Sequence, residues 1–166
     1  MKVSYGQVLL ADFVAAVGER GPAPASGSAT AVVAALAAAL VELTARLSDD
    51  GEALGEAIRL REQLLALADE DADAYAEFMR TRSREARSRT VDIPLRLAEA
   101  AARVAELAER LEVTGNQRLV GDAAAATLLA RAAVQVGARL VELNLADPAD
   151  PRGVRARELA QTPRGA

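Results

Sequence analysis

The side chains able to do chemistry in this chain form a short inventory. The sequence contains no Cys and no His. That excludes disulfides, zinc–thiolate sites, iron–sulfur clusters, cysteine nucleophiles, histidine metal ligands and the Ser-His-Asp triad. The one lysine is Lys2, which leaves little room for Schiff-base or phosphate-loop lysine chemistry. What remains are carboxylates, hydroxyls, amides, arginines and the backbone. A positioned carboxylate orients water, takes or gives a proton and stabilises nearby positive charge.

Among the carboxylates, Asp122 stands out. On a helical wheel Arg131, Gln135, Arg139 and Glu142 fall on the opposite side and form a solvated stripe. Asp122 therefore faces inward, with Arg118 one turn before it. An inward carboxylate needs partners, since unpaired burial is costly. It is either paired with Arg118 or capping its own helix, or it is a general acid/base with a tuned pKa. Glu42 is the one acid in a long Ala-rich segment. It either pairs with Arg46 at i,i+4 or supplies a second site carboxylate. Asp71 and Asp73 read as part of a solvated face. Asn116 sits in Thr114-Gly115-Asn116 and reads as a turn or cap residue. Ser28 reads as a helix cap, or as part of an Ala25-Ser26-Gly27-Ser28 loop presenting backbone N–H groups to a ligand. Asn144 lies on the face of Asp122 but roughly 33 Å further along the helix, so the two cannot share a site within one subunit. The arginines between Arg80 and Arg89 are either a solvated helix end or an anion-attracting patch.

These residues need helices to hold them. Of the 166 residues, 51% are hydrophobic, yet aromatics are 2%. Alanine greatly outnumbers the β-branched residues, which favours helix over sheet. Periodic apolar positions mark five helices: about Tyr5–Gly18, Ser26 or Ser28 to Leu47, Glu52–Arg82, a fourth capped by Asp92 with Pro94 in its first turn, and Gln117–Leu145. The expectation is an all-α, single-domain bundle of about five helices over residues 1–146, followed by a polar C-terminal tail, 147–166, which is loosely ordered or ends in a short helix around Val154–Ala160. The most apolar segment, Ala29–Val41, is shorter than the roughly 20 residues of a membrane span, and the N-terminus makes a poor signal peptide. A cytoplasmic protein away from membranes is expected. The net charge of −4 and the scarcity of stacking aromatics disfavour nucleic acid. The Ala-rich second helix cannot be hidden on every side by one small bundle, so a homodimer is expected.

The order of motifs goes further. PAPASGSATAVVAALAAALVELTARLS resembles the proline-glycine-serine loop and buried helix of the formiminotetrahydrofolate cyclodeaminase and methenyltetrahydrofolate cyclohydrolase family. DEDADAYAEFM, IPLRLAEAA, GNQRLVGD and ELNL resemble its later elements, in order and at similar spacing. The chain departs from that pattern at Ala25 and Ser26, which replace two glycines, at Ser48-Asp49-Asp50, which replaces a basic patch, and at Gly121, which replaces a serine. The connection between the third and fourth helices is also trimmed. The resemblance implies one-carbon folate chemistry, either cyclodeamination or methenyl-bridge hydrolysis, on a tetrahydrofolate substrate with no cofactor and no metal. It implies Asp122 as acid/base with Glu42 second. Gly27, Ser28, Asp71, Asn116 and Arg118 would shape the substrate pocket, and arginines would meet the substrate's carboxylates. A homodimer is implied too. The competing class is a non-catalytic helical dimer or partner-binding module that has lost the family activity.

Overall fold

The computed structural model describes residues 4–21 and 23–161; Lys2 and Pro22 lie outside the described residues. Among these are six α-helices and no strand: α1 (Leu10–Gly18), α2 (Ser26–Arg46), α3 (Gly51–Thr81), α4 (Arg84–Thr114), α5 (Val120–Asn144) and α6 (Pro151–Gln161). The all-α expectation is met. Short connections make α2 to α5 successive antiparallel neighbours. The first turn of α2 lies beside the second half of α3, where Ser28 bonds Ala68. Its last turn lies beside the α4–α5 connection, where the Asn116 side chain donates to Leu47 O. The bundle thus has a near end, holding the start of α2 and the finish of α5, and a far end.

Small residues make the core. Ala31, Ala34, Ala37 and Ala38 of α2 are fully buried, against Leu64 and Leu67 of α3 and Leu97, Ala101 and Val104 of α4. Alanines bring helix axes close while larger leucines fill the remaining space. Gly137 of α5 shows the same economy: a Cβ there would meet Pro94 O at 3.0 Å and the Ala98 Cβ at 3.1 Å.

Several elements differ from the sequence expectation. The first helix is broken: Tyr5–Gln7 is a single 3₁₀ turn and α1 starts at Leu10. Val8 and Leu9 are extended between the two, and Asp69 holds the start of the 3₁₀ turn, accepting from Ser4 Oγ at 2.5 Å and from Tyr5 N at 2.8 Å. The fourth helix starts at Arg84, not near Asp92, with Ser83 as its cap accepting from Ala86 N. Pro94 therefore sits well inside α4. Proline has no N–H to give the carbonyl four residues back, and that carbonyl, Thr90 O, takes a 2.7 Å hydrogen bond from Asn144 Nδ2 instead. The terminal helix starts at Pro151, three residues before the short helix expected around Val154–Ala160. Helix α6 packs on α5 and α4, and Arg152 at its start bonds Asp92, Asp150 and Ser88.

Two stretches, Ser26–Arg46 and Gln117–Asn144, have the length and apolarity of membrane-spanning helices. The bundle buries 56% of the apolar window in the first and 33% in the second. Core packing accounts for much of the first, whereas α5 shows an incompletely covered apolar face.

Candidate active site

At the near end a cleft of about 280 Å3 opens between the first turn of α2, the middle of α3, the third turn of α4 and the last turns of α5. Asp71 and Tyr75 of α3 line one wall, Ser26 and Gly27 of α2 with Gly21 and Ala25 before it another, and Thr90, Pro94, Leu140 and Asn144 the rest. Asp71 is the one charged side chain among the described lining residues.

Helix α2 begins without a side-chain cap, because its N-cap is Ala25. The first backbone N–H groups of a helix need outside partners. Asp71 meets that need from a neighbouring helix: its carboxylate accepts from the Ser28 backbone and, at 3.2 Å, from Ser28 Oγ. Ser28 is thus not the cap but the third residue of α2, and its buried hydroxyl also faces Ala68 O at 2.9 Å. Gly27 makes the approach possible. A Cβ at that position would overlap the Asp71 carboxylate, so the carboxylate occupies the space a side chain would need. Ala25 and Ser26, the positions that depart from the glycine-rich pattern, are exposed. The glycine the packing requires is the one that is kept.

Burial pushes the Asp71 carboxyl above its ordinary range, and the hydrogen bonds from Ser28 oppose that only in part. A desolvated carboxylate is penalised in its charged form. Asn144, through its bond to Thr90 O, ties the end of α5 to α4 across the Pro94 gap and fixes the opposite wall.

The other sequence candidates lie elsewhere. Asp122 is half-buried in the first turn of α5, about 27 Å along the helix from Leu140. No ion pair joins it to the exposed Arg118 among the described residues. Glu42 pairs with Arg61 of α3 rather than with Arg46. Asn116 caps the 3₁₀ turn Gln117–Leu119, accepting from Arg118 N at 3.1 Å. Gly27, Ser28 and Asp71 therefore share the near end, while Glu42, Asn116, Arg118 and Asp122 share the far end. Tyr75, Thr90, Pro94 and Asn144 are cleft residues that sequence reasoning did not assign. For Tyr75 the available signal was its i,i+4 spacing from Asp71.

The arginine-rich stretch is the corner between α3 and α4. Arg82 ends α3 in the left-handed conformation (φ 53°). The guanidiniums of Arg82 and Arg87 sit 5.0 and 4.8 Å from the centre of the Phe78 ring, within cation–π range. Phe78 is one turn beyond Tyr75 and Arg87 one turn before Thr90, so this basic corner adjoins the cleft.

Comparison with known proteins bears on the fold and the family. A search of curated protein sequences found no match. A solved structure from Thermotoga maritima, described as formiminotetrahydrofolate cyclodeaminase, superposes with a TM-score of 0.85 at 24% identity, covering 94% of this chain and 88% of that one. At that identity the likeness is one of fold. The family model for formiminotransferase-cyclodeaminase matches residues 9–159, nearly the whole described chain, and the protein belongs to the formiminotransferase-cyclodeaminase family.

Proposed function

We propose that the protein is a folate-dependent one-carbon enzyme, a cyclodeaminase or a methenyltetrahydrofolate cyclohydrolase, with Asp71 as its acid/base in place of Asp122 and Glu42. The observation that carries this reading is the desolvated Asp71 carboxylate, the one charged side chain among the described residues lining the cleft. A half-buried, desolvated carboxylate favours a cationic ligand group, and the one-carbon unit of a methenyl or formimino folate is amidinium-like. In bridge hydrolysis, water adds to the methenyl carbon as Asp71 takes one of its protons; the carbon–N5 bond then breaks, N5 takes the remaining hydroxyl proton, and the formyl group stays on N10. In cyclodeamination, N10 attacks the formimino carbon, ammonia departs and Asp71 gives it a proton. Tyr75 offers a ring beside the carboxylate for a planar ligand.

The basic corner meets the substrate's carboxylates in this reading. The double substitution Arg82→Gln, Arg87→Gln is expected to weaken reduced-folate binding by roughly three- to tenfold, the scale of two exposed charge contacts, with kcat nearly unchanged. Calorimetric titration at low and high salt checks this, and the difference from the parent should shrink as salt rises.

The active protein is proposed to be a homodimer. Leu129, Val136 and Leu143 of α5 are exposed at seven-residue intervals, and Leu36, Leu43 and Leu47 are exposed on the adjoining α2. Seven-residue spacing places side chains on one helix face, and a large unpaired apolar face marks an interaction surface. Light scattering at micromolar concentration should give twice the 17.3 kDa chain mass, and Val136→Glu should shift the species towards monomer. A parent protein running as a clean monomer would reject the assembly.

The reading as a non-catalytic module gains from the exchanged loop glycines Ala25 and Ser26, which are exposed at the cleft rim, while Gly27, the glycine against Asp71, is retained. Reduced-folate titration separates the two: a saturable site supports the enzyme, and none at millimolar ligand supports the module.

A further inference from the structure

The Ser28 hydroxyl has one hydrogen and two acceptors. Ser28 is completely buried. Its Oγ lies 2.9 Å from Ala68 O and 3.2 Å from Asp71 Oδ2. Both distances suit a hydrogen bond, yet a hydroxyl donates only once. The two acceptors are not equal. Ala68 lies inside α3, where the N–H four residues on already bonds its carbonyl, so the hydroxyl is a second and dispensable donor there. The Asp71 carboxylate is desolvated, and a charge-assisted bond is roughly twice as strong as a neutral one. When Asp71 carries a proton, the demand reverses: the acid has a hydrogen to give, and Ser28 Oγ has lone pairs to receive it.

We propose that the Ser28 hydroxyl is a rotor that follows the charge of Asp71. It donates to the ionised carboxylate, and it turns to Ala68 O while accepting the O–H of the protonated acid. In neither state is a buried polar atom left without a partner, so proton exchange at Asp71 avoids the penalty of an unsatisfied buried group. Ser28 is a positioning residue: it touches Asp71, and Asp71 meets the substrate. The inference rests on the reading of Asp71 as the proton-transfer group. Around the cleft, α2 faces Asp71 with Ser26 and Ser28, α4 with Thr90 and Pro94, and α5 with Leu140 and Asn144; the other titratable lining group is Tyr75 of α3. Asp71, the carboxylate within reach of Ser28 Oγ, is the group whose titration turns the rotor.

The test is a carbon-13 NMR titration of the full-length chain without ligand. The Ala68 carbonyl and the Asp71 carboxyl are followed together in the parent, in Ser28→Ala and in Ser28→Thr. In the parent, the Ala68 carbonyl shift should move with the same midpoint as Asp71. In Ser28→Ala it should stay flat, and the Asp71 midpoint should rise by about one pH unit, a tenfold change in acidity, because the ionised form loses a donor. Ser28→Thr, which keeps the hydroxyl, should restore both behaviours. An Ala68 carbonyl that stays flat through the Asp71 titration of the parent overturns the rotor, as does a Ser28→Ala midpoint that is unchanged or lower. If Ser28→Ala does not fold, the parent titration alone decides. No substrate is involved. Coupled titration with no folate turnover would sink the enzyme reading and leave the rotor, while turnover with a flat Ala68 would do the reverse.

Discussion

Asp71→Asn is expected to lower turnover of a reduced-folate substrate by roughly 100-fold or more, the scale of a lost general acid/base, while leaving the bundle at least as stable as the parent. Asn is nearly isosteric and still accepts from Ser28, so the tertiary cap on α2 survives. What disappears is a carboxylate that burial disfavours in its charged form. The sign follows from linkage. A carboxyl whose folded pKa is raised binds its proton more tightly folded than unfolded, so stability falls as pH climbs from the ordinary aspartate value of 3.8 through the higher folded value. The Asn variant escapes that loss. Its melting temperature should therefore match the parent's below the ordinary aspartate pKa and equal or exceed it at neutral pH. The parent's activity should show an acid limb above the usual carboxylate range if Asp71 works as a base. Thermal melts and pH–rate profiles on the same preparations check both halves.

Gly27→Ala is expected to damage activity about as severely, by a different route. The added methyl would occupy the place of the Asp71 carboxylate. Either Asp71 swings out of its contact with Ser28 or α2 shifts away from α3. Both move the reacting group by more than an acid/base can tolerate, and small misplacements can cost about 100-fold. Overpacking of this kind also destabilises by roughly 1–3 kcal/mol, so Gly27→Ala should melt below the parent where Asp71→Asn does not. Gly51→Ala, in the first turn of α3 where an added Cβ meets nothing within 4 Å, serves as the control and should change turnover by less than about threefold. An active, fully stable Gly27→Ala protein would contradict the packing argument.

Which parts were legible in the sequence depended on how far apart the interacting residues lie. The Ala-rich helices, their breaks and the order of family-like motifs are local or sequential, and the all-α bundle follows from them. Asp71 looked solvated because a helical wheel treats one helix in isolation, and the acids around it make that face look polar. Its partner is Gly27, a residue without a side chain, more than forty positions earlier on another helix. The wheel turns Asp122 inward, and it is half-buried. What the wheel omits is position along the axis, which puts Asp122 at the opposite end of the bundle from the cleft. Pro94 invited an early-turn assignment because proline costs least there. It is tolerated deep in α4 because Asn144, fifty residues on, bonds the carbonyl that proline leaves unpaired. The 3₁₀ turn before α1 is likewise tied down by a distant carboxylate, Asp69. In each case a tertiary partner overrode a local preference.

The most direct test of the account compares Asp71→Asn with Asp122→Asn. Each is titrated with methenyltetrahydrofolate and assayed for ring opening and for the formimino reaction beside the parent. The account predicts saturable binding by the parent, loss of turnover by roughly 100-fold or more in Asp71→Asn with binding largely kept, and turnover within about twofold of the parent in Asp122→Asn. Turnover abolished in Asp122→Asn but intact in Asp71→Asn would place the reacting centre at the far end of the bundle, and a parent that binds no reduced folate at millimolar concentration would contradict the proposed function itself.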